Sequence, residues 1–411
     1  MAIDLKLVGA RLPNRSGTWD IAIANGIITD IAPTISSPAL TTLELHQQLV
    51  IPGLVEGHIH LDKALLLDRY PAIEGTFAEA LRETLRLKQG FTVDDIQTRA
   101  RRVLEAAIAF GVTAMRSHVE VDPTIGLTAL QALDAVKREY AWGTTLQLAV
   151  FAQEGITNQP GTEALLRQAM QNGGDVIGSA PYTDPDPKRN IEIVFDIAQT
   201  FDSDIDFHLD FLDDHQPLLL PIVIEETRRR QWQGRVCLGH MTKLAALPPD
   251  QLAAIASDLQ ATGISVLALP ATDLYMMARQ DTHNVRRGIA PVHRLATWGV
   301  NVGLATNNVQ NLFTPFGDGD VLKICTLLAQ VLHLGTVASH HLCLEMATTR
   351  AARAIGINNY GIEPGNVADL VILTVRDVSE AIAAAPTERT VIKNGAIVAR
   401  SNIVKTLYRQ G

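Results

Sequence analysis

Between Gly53 and Gly356, short apolar runs of strand character alternate with amphipathic runs of helical character, and no other feature constrains the fold of this 411-residue chain as strongly. The strand-like runs cover 112–117, 146–151, 176–178, 205–209, 236–239, 264–269 and 301–304; the helical ones include 93–110, 162–172, 191–200, 219–231 and 249–262. Such alternation is what parallel strands joined by crossover helices produce, because a parallel pair cannot be closed by a tight turn. With a further strand opening at Val50 the count reaches eight. Eight βα units within roughly 300 residues predict a (β/α)8 barrel over an open sheet.

The two ends of the chain follow another grammar. Strand-like segments at 5–8, 19–24 and 27–31 enclose Asn25-Gly26, and 368–373, 390–393 and 396–399 enclose Asn394-Gly395. Asn-Gly between apolar runs marks a hairpin whose turn residues both need positive φ. The expected organisation is therefore a β segment over 1–52, a barrel over 53–358 and a second β segment over 359–411, the two β segments pairing into one small β-sandwich.

Apolar residues make up 47% and charged residues 19%, enough for a large core and too little charge for a disordered chain. Against 44 Asp and Glu stand 35 Lys and Arg, a net charge of −9 that provides no broad basic field for nucleic acid or an anionic membrane. A small-molecule partner is the expectation. Cys237, Cys325 and Cys343 are too few and too widely spaced for a disulfide framework or a CxxC zinc site, which predicts reduced, buried thiols. The first residues lack the pattern of a signal peptide and no stretch of 18 apolar residues occurs, so a cytoplasmic protein is expected.

In a barrel of this kind chemistry sits where strands end. His58 and His60 close the first strand two residues apart, on one face by the period of a strand. His208 and His240 end the runs 205–207 and 236–239, so four imidazoles at the same end of three strands can converge on one metal ion. An HxH pair alone fits a polar loop as well; the joint pattern is what points to a metal. His118 ends the second strand and reads equally as a hydrogen-bonding residue beneath the site. Lys63 is open to contact with substrate or to pairing with Asp62. No P-loop, dinucleotide fingerprint or nucleophile elbow occurs, which removes nucleotide-driven and serine-hydrolase mechanisms.

At these positions the chain resembles the amidohydrolase superfamily, and within it the cytosine deaminase and N-isopropylammelide amidohydrolase group. The resemblance runs through Val50-Ile-Pro-Gly-Leu-Val-Glu-Gly-His-Ile-His-Leu-Asp-Lys63, Arg116-Ser-His-Val-Glu-Val-Asp122, Phe151-Ala-Gln-Glu-Gly155, Asp206-Phe-His-Leu-Asp210, Gly239-His240, Arg286-Arg-Gly-Ile289 and Pro315-Phe-Gly-Asp-Gly-Asp320. It implies an α/β protein with a TIM-like metallo-dependent hydrolase barrel, in which His58, His60 and His208 hold one divalent ion, zinc or iron. His240 would act on the attacking water, and Gln153, Lys63, Asn308 and Phe313 would line the substrate, a small nitrogen heterocycle that loses an exocyclic amine. Relatives of this kind commonly form homo-oligomers.

Two positions depart from the resemblance. Asn307 stands where the strand-eight aspartate is expected, and an amide offers an oxygen but neither a charge nor a place for a proton at neutral pH. Phe211 stands where cytosine deaminases carry a glutamate, which leaves Asp210 as the expected substitute. The reading is therefore a metal-dependent hydrolase of C–N bonds, with a binding protein that has lost efficient hydrolysis as the alternative. Asp318 and Asp320 are expected to position a loop or cap a helix.

Overall fold

A computed structural model describes residues 2–408 with the exception of 212, 213 and 215. Eight parallel strands form the barrel: β1 (Leu54–Ile59), β2 (Val112–Glu120), β3 (Thr145–Ala152), β4 (Val176–Ser179), β5 (Asp204–Leu209), β6 (Val236–His240), β7 (Ser265–Ala268) and β8 (Val302–Leu304). Each pairs with its sequence neighbour. The ring closes just past β8 through Asn307, whose N–H donates to the His58 carbonyl (2.9 Å) and whose carbonyl accepts from the His60 N–H (2.9 Å). One residue thus joins the last strand to the His58-Ile59-His60 segment of the first.

The helices begin where capping chemistry predicts. Helix α1 (Phe77–Lys88) starts behind Thr76, whose hydroxyl accepts from the Glu79 N–H, and α2 (Val93–Ala109) starts behind Thr92 in the same way. The helix expected at 191–200 runs over Pro187–Phe201, one turn earlier, because Asp186 caps it and Pro187 occupies the first turn, where a missing N–H costs nothing. Helix α2 and most of the later helices bury their apolar faces in the continuous core around the barrel, whereas α1 packs in a smaller cluster. No helix among the described residues is long and apolar enough to cross a membrane.

The terminal segments build one further eight-stranded sheet of two arms, joined where Ile3–Leu12 pairs with Leu49–Pro52 through Arg11 and Leu49. Ile3–Leu12, Arg15–Ala24, Ile27–Ala32 and Ala39–Glu44 form one arm, and Leu49–Pro52, Leu370–Leu373, Arg389–Lys393 and Ala396–Ser401 the other. Leu49–Pro52 pairs antiparallel with Leu370–Leu373, and Leu5, Leu7, Ile21, Ile23 and Ile28 share a core with Val50, Leu370, Ile372 and Ile392. Both Asn-Gly turns have positive φ (51° and 76° at Asn25 and Gly26, 49° and 76° at Asn394 and Gly395). They also meet: a Cβ on Gly26 would stand 2.9 Å from the Asn394 carbonyl oxygen, and one on Gly395 2.9 Å from the Gly26 Cα. Arg389 ties this unit to the barrel through Asp320 (2.9 and 2.7 Å), and Asp320 caps the helix Val321–Val331, as expected for a capping carboxylate.

Candidate metal centre

The alternation of β1 sends Glu56, His58 and His60 to the barrel interior. His58 and His60 meet His208, at the end of β5, with Nε2 to Nε2 distances of 3.0 and 3.1 Å. All three rings are buried, and burial together with the neighbouring imidazoles and Lys63 holds their pKa values well below the ordinary 6.5. They are neutral bases whose lone pairs face one another, the protonation state a metal requires. Their Nδ1 atoms have no hydrogen-bond partner in the protein. Nitrogens arranged tetrahedrally at about 2.0–2.1 Å from an ion stand roughly 3.3 Å apart, a separation close to the one observed here.

The sequence makes room for this cluster. A Cβ on Gly239, just before His240, would stand 2.8 Å from the His58 Cε1, so the glycine is what lets that ring lie against β6. Beneath it, Asp206 Oδ1 is 3.8 Å from His58 Nδ1 and 3.3 Å from His118 Nε2, while its Oδ2 accepts from Arg116 (2.8 Å). Burial works against the Asp206 charge, but His118, His58 and Arg116 overcome it and keep the carboxyl well below its usual range. His118 lies against His58, ring centroids 3.8 Å apart, and completes a group of four histidines able to hold an ion. Asp206 and Arg116 were not singled out in the sequence, although an acid at mid-strand two residues before His208 was the available signal.

His240 faces the same chamber. Its Nδ1 is 2.7 Å from Asp273 Oδ1, so an Nδ1–H donated there leaves Nε2 for the chamber. Asp273 lies on the short helix Pro270–Met276, past the end of β7, where a search of strand ends does not look. Phe211 packs on His240 with centroids 4.1 Å apart. Asn307 lines the chamber with its Oδ1 buried and unpartnered, and φ of 68°. Asp210 departs from expectation. Its oxygens accept from the Leu219 and Leu220 N–H groups (2.9 and 3.1 Å) at the start of the helix Leu220–Arg229, and it is absent from the chamber wall.

Lys63 also differs from the Asp62 pairing weighed above. Its ammonium lies 2.5 Å from Glu120 Oε1 and 3.1 Å from Gln153 Oε1, and 4.9 Å from the centre of the Phe313 ring. Gln153, Asn308 and Phe313 all line the chamber with Lys63, although Asn308 also accepts from Asn311 (2.7 Å) and so serves the loop. Behind Lys63, the Lys88 ammonium is enclosed by Glu120 (2.9 Å), Asp122 (2.6 Å) and Glu154 (2.7 Å). Burial would raise the Glu120 carboxyl, yet the two ammonium groups hold it at about 2. Burial and the Glu120 charge push Glu154 up to about 7.

Glu154 therefore binds its proton more tightly in the folded chain than in the unfolded one, with its ordinary value of 4.5. Its stabilising contribution is complete below pH 4.5 and lost as pH rises through 7, at no more than about 1.4 kcal/mol per pH unit. Glu154→Gln is expected to flatten the fall in Tm between pH 5 and 7.5 relative to the parent. Parallel Tm profiles would show that Glu154 is ionised throughout.

The chamber is walled by Phe77, Tyr182, Phe211 and Phe313 beside the histidines and leaves a cavity of about 10 Å³, room for one water at most. A larger cleft of about 910 Å³, lined among others by Lys243, Arg287 and Arg294, opens elsewhere on the surface and contains none of these histidines.

Comparison with known proteins points one way. The pattern defining the Amidohydrolase family matches residues 73–399. N-isopropylammelide isopropyl amidohydrolase from Pseudomonas sp. (strain ADP) is 27% identical over 415 residues, covering 98% of each chain. Pterin deaminase from Rhizobium rhizogenes is 27% identical, covering 96% of this chain and 91% of that one. The structure of 5-methylcytosine deaminase from Klebsiella pneumoniae, liganded with 5-fluorocytosine, superposes with a TM-score of 0.92 at 29% identity over 98% of this chain and 99% of that one.

Proposed function

The chain belongs to the amidohydrolase family, and from that premise we propose that it hydrolyses the exocyclic C–N bond of a small nitrogen heterocycle at the His58, His60 and His208 centre. The observation that carries this reading is the convergence of the neutral His58 and His60 Nε2 atoms on His208 Nε2, at 3.0 and 3.1 Å. One divalent ion, zinc or iron, would be held by these rings and the Asn307 amide oxygen. Such an ion supplies Lewis acidity and lowers the pKa of water towards neutrality.

The remaining chemistry falls to side chains of the chamber. Asp273 fixes the His240 tautomer so that Nε2 is the atom that accepts a proton, a role the Asn307 amide cannot fill. Lys63 takes Gln153 Oε1, so the pocket offers two donors side by side, the ammonium and the Gln153 amide N–H₂. A ring that presents a carbonyl oxygen or a deprotonated nitrogen on one edge fits them. Phe313 and Phe211 bound the ring faces and exclude water. Relatives whose names specify pterin, N-isopropylammelide and 5-methylcytosine support a single or fused heterocycle, a free small molecule rather than nucleic acid or a membrane surface.

Asn307 and Phe211 also favour the second reading, a protein that binds the ring without turning it over. The test is metal analysis of protein purified without chelator, followed by assay of ammonia or amine release from aminated pyrimidines, triazines and pterins. About one equivalent of metal with release is the expected result. Metal and ring binding without release would replace the enzyme by the binding protein, and neither metal nor ring binding would overturn both.

A further inference from the structure

Helix α1 is attached to the molecule outside the main core. Its apolar residues Phe77, Ala80, Leu81 and Leu87 join a small separate cluster with Phe211, Phe313 and Tyr182, the aromatic wall of the chamber. At its first residue, the Phe77 ring stands 5.5 Å from Phe211, 6.0 Å from Phe313 and 6.3 Å from Tyr182. At its last residue, Lys88 is 1% exposed and places its ammonium among Glu120, Asp122 and Glu154. The helix is thus seated on the rings of the chamber wall at one end and on carboxylates at the other. A cavity of about 10 Å³ has no room for a six-membered ring, so part of the aromatic wall, Phe77 included, must move for one to enter.

The charged end reaches into the chamber. Glu120 uses one oxygen for Lys88 and the other for Lys63, and Lys63 holds Gln153 Oε1. Asp62 braces the junction by accepting the Glu120 N–H (2.8 Å). An unbroken series of charge-assisted contacts therefore leads from α1 to the two donors that face a bound ring.

We propose that Lys88 is a positioning residue that docks α1 as the cover of the chamber and, through Glu120, sets Lys63 and Gln153 to receive the ring, so that closure and recognition are one event. The part concerning recognition rests on the function proposed above; the part concerning the cover does not. Without Lys88 three carboxylates face one another across a buried space, and the end of α1 loses its anchor. Lys63 loses the geometry that Glu120 gives it.

Lys88→Met in the full chain, loaded with metal, is the test. Hydrogen exchange of the α1 amides is expected to rise on the order of tenfold while strands β2 and β3 keep their protection. Lys88→Arg should restore most of it. Affinity for 5-fluorocytosine, the ligand of the Klebsiella pneumoniae relative, should fall on the order of tenfold, and Lys63→Met combined with Lys88→Met should be no weaker than Lys63→Met alone. A purely structural Lys88 would give additive losses instead, which would overturn the relay. Exchange of α1 within about twofold of the parent in folded Lys88→Met would overturn the cover. Should that variant not fold, Glu154→Gln, measured at about pH 8 where Glu154 is ionised, removes one carboxylate and keeps the ammonium: two- to threefold faster α1 exchange is expected, and no change overturns the proposal. If the parent binds no ring, the proposed function fails while α1 exchange still decides the cover.

Discussion

Replacing His208 by alanine is expected to reduce tightly bound metal from about one equivalent to below a tenth. His208 is the vertex of the cluster, since its Nε2 makes both short contacts, to His58 and to His60, which do not contact each other so closely. Disturbing even the groups that orient a ligand costs on the order of 10 to 100-fold in affinity or activity, and here a ligand itself is removed. The ring also stacks on Phe151 with centroids 4.8 Å apart, so some loss of stability unrelated to metal accompanies the change. Melting with chelator separates the two: the His208→Ala protein should no longer gain Tm on adding zinc, whereas the parent should. Metal content equal to the parent would mean that the ion sits elsewhere and that these rings serve another purpose.

Asn307→Asp is expected to act in the opposite direction, raising metal affinity on the order of 10 to 100-fold and producing or enhancing deamination of cytosine-like compounds. The backbone of residue 307 is already pinned by its two hydrogen bonds to the His58 carbonyl and the His60 N–H, so a carboxylate would take the place of the amide without rearrangement. It would bring the charge and the proton acceptor that the amide lacks. The same change carries a sign test. With chelator the new carboxylate is a buried charge among neutral rings, which costs stability; with metal it is paired. Asn307→Asp should therefore melt below the parent in chelator and above it in zinc. If neither metal affinity nor turnover changes, position 307 does not face the ion.

The barrel and the histidines were legible because both depend on local pattern. An apolar run followed by a polar residue marks a strand end, and three such ends carried His58 and His60, His208, and His240. Asp210 shows the limit of that logic. Two residues beyond His208, strand alternation places it on the same face, but the backbone has left the strand by then, with φ of 46°, and turns the carboxylate to a helix N-terminus. His240 likewise has positive φ, 73°, yet keeps its ring in the chamber because Asp273 holds it there. That partner lies 33 residues away. Lys88 reaches Glu120 over 32 residues from the far end of a helix. Contacts of this kind depend on how elements stack, and no spacing rule reports them.

The ladder between Leu49–Pro52 and Leu370–Leu373 bears on how the chain is made. The partners Ile51 and Val371 are 320 residues apart, so at about 5–20 residues per second the first waits roughly 16–64 s for the second to be synthesised. Throughout that interval the N-terminal strands exist with one edge unfilled while the whole barrel emerges and folds behind them. An unfilled edge is a template for any passing strand. Expression yield should accordingly be governed by the fate of this nascent edge on crowded ribosomes more than by the stability of the finished barrel, and slower translation of the barrel would lengthen the hazard without changing a single native contact.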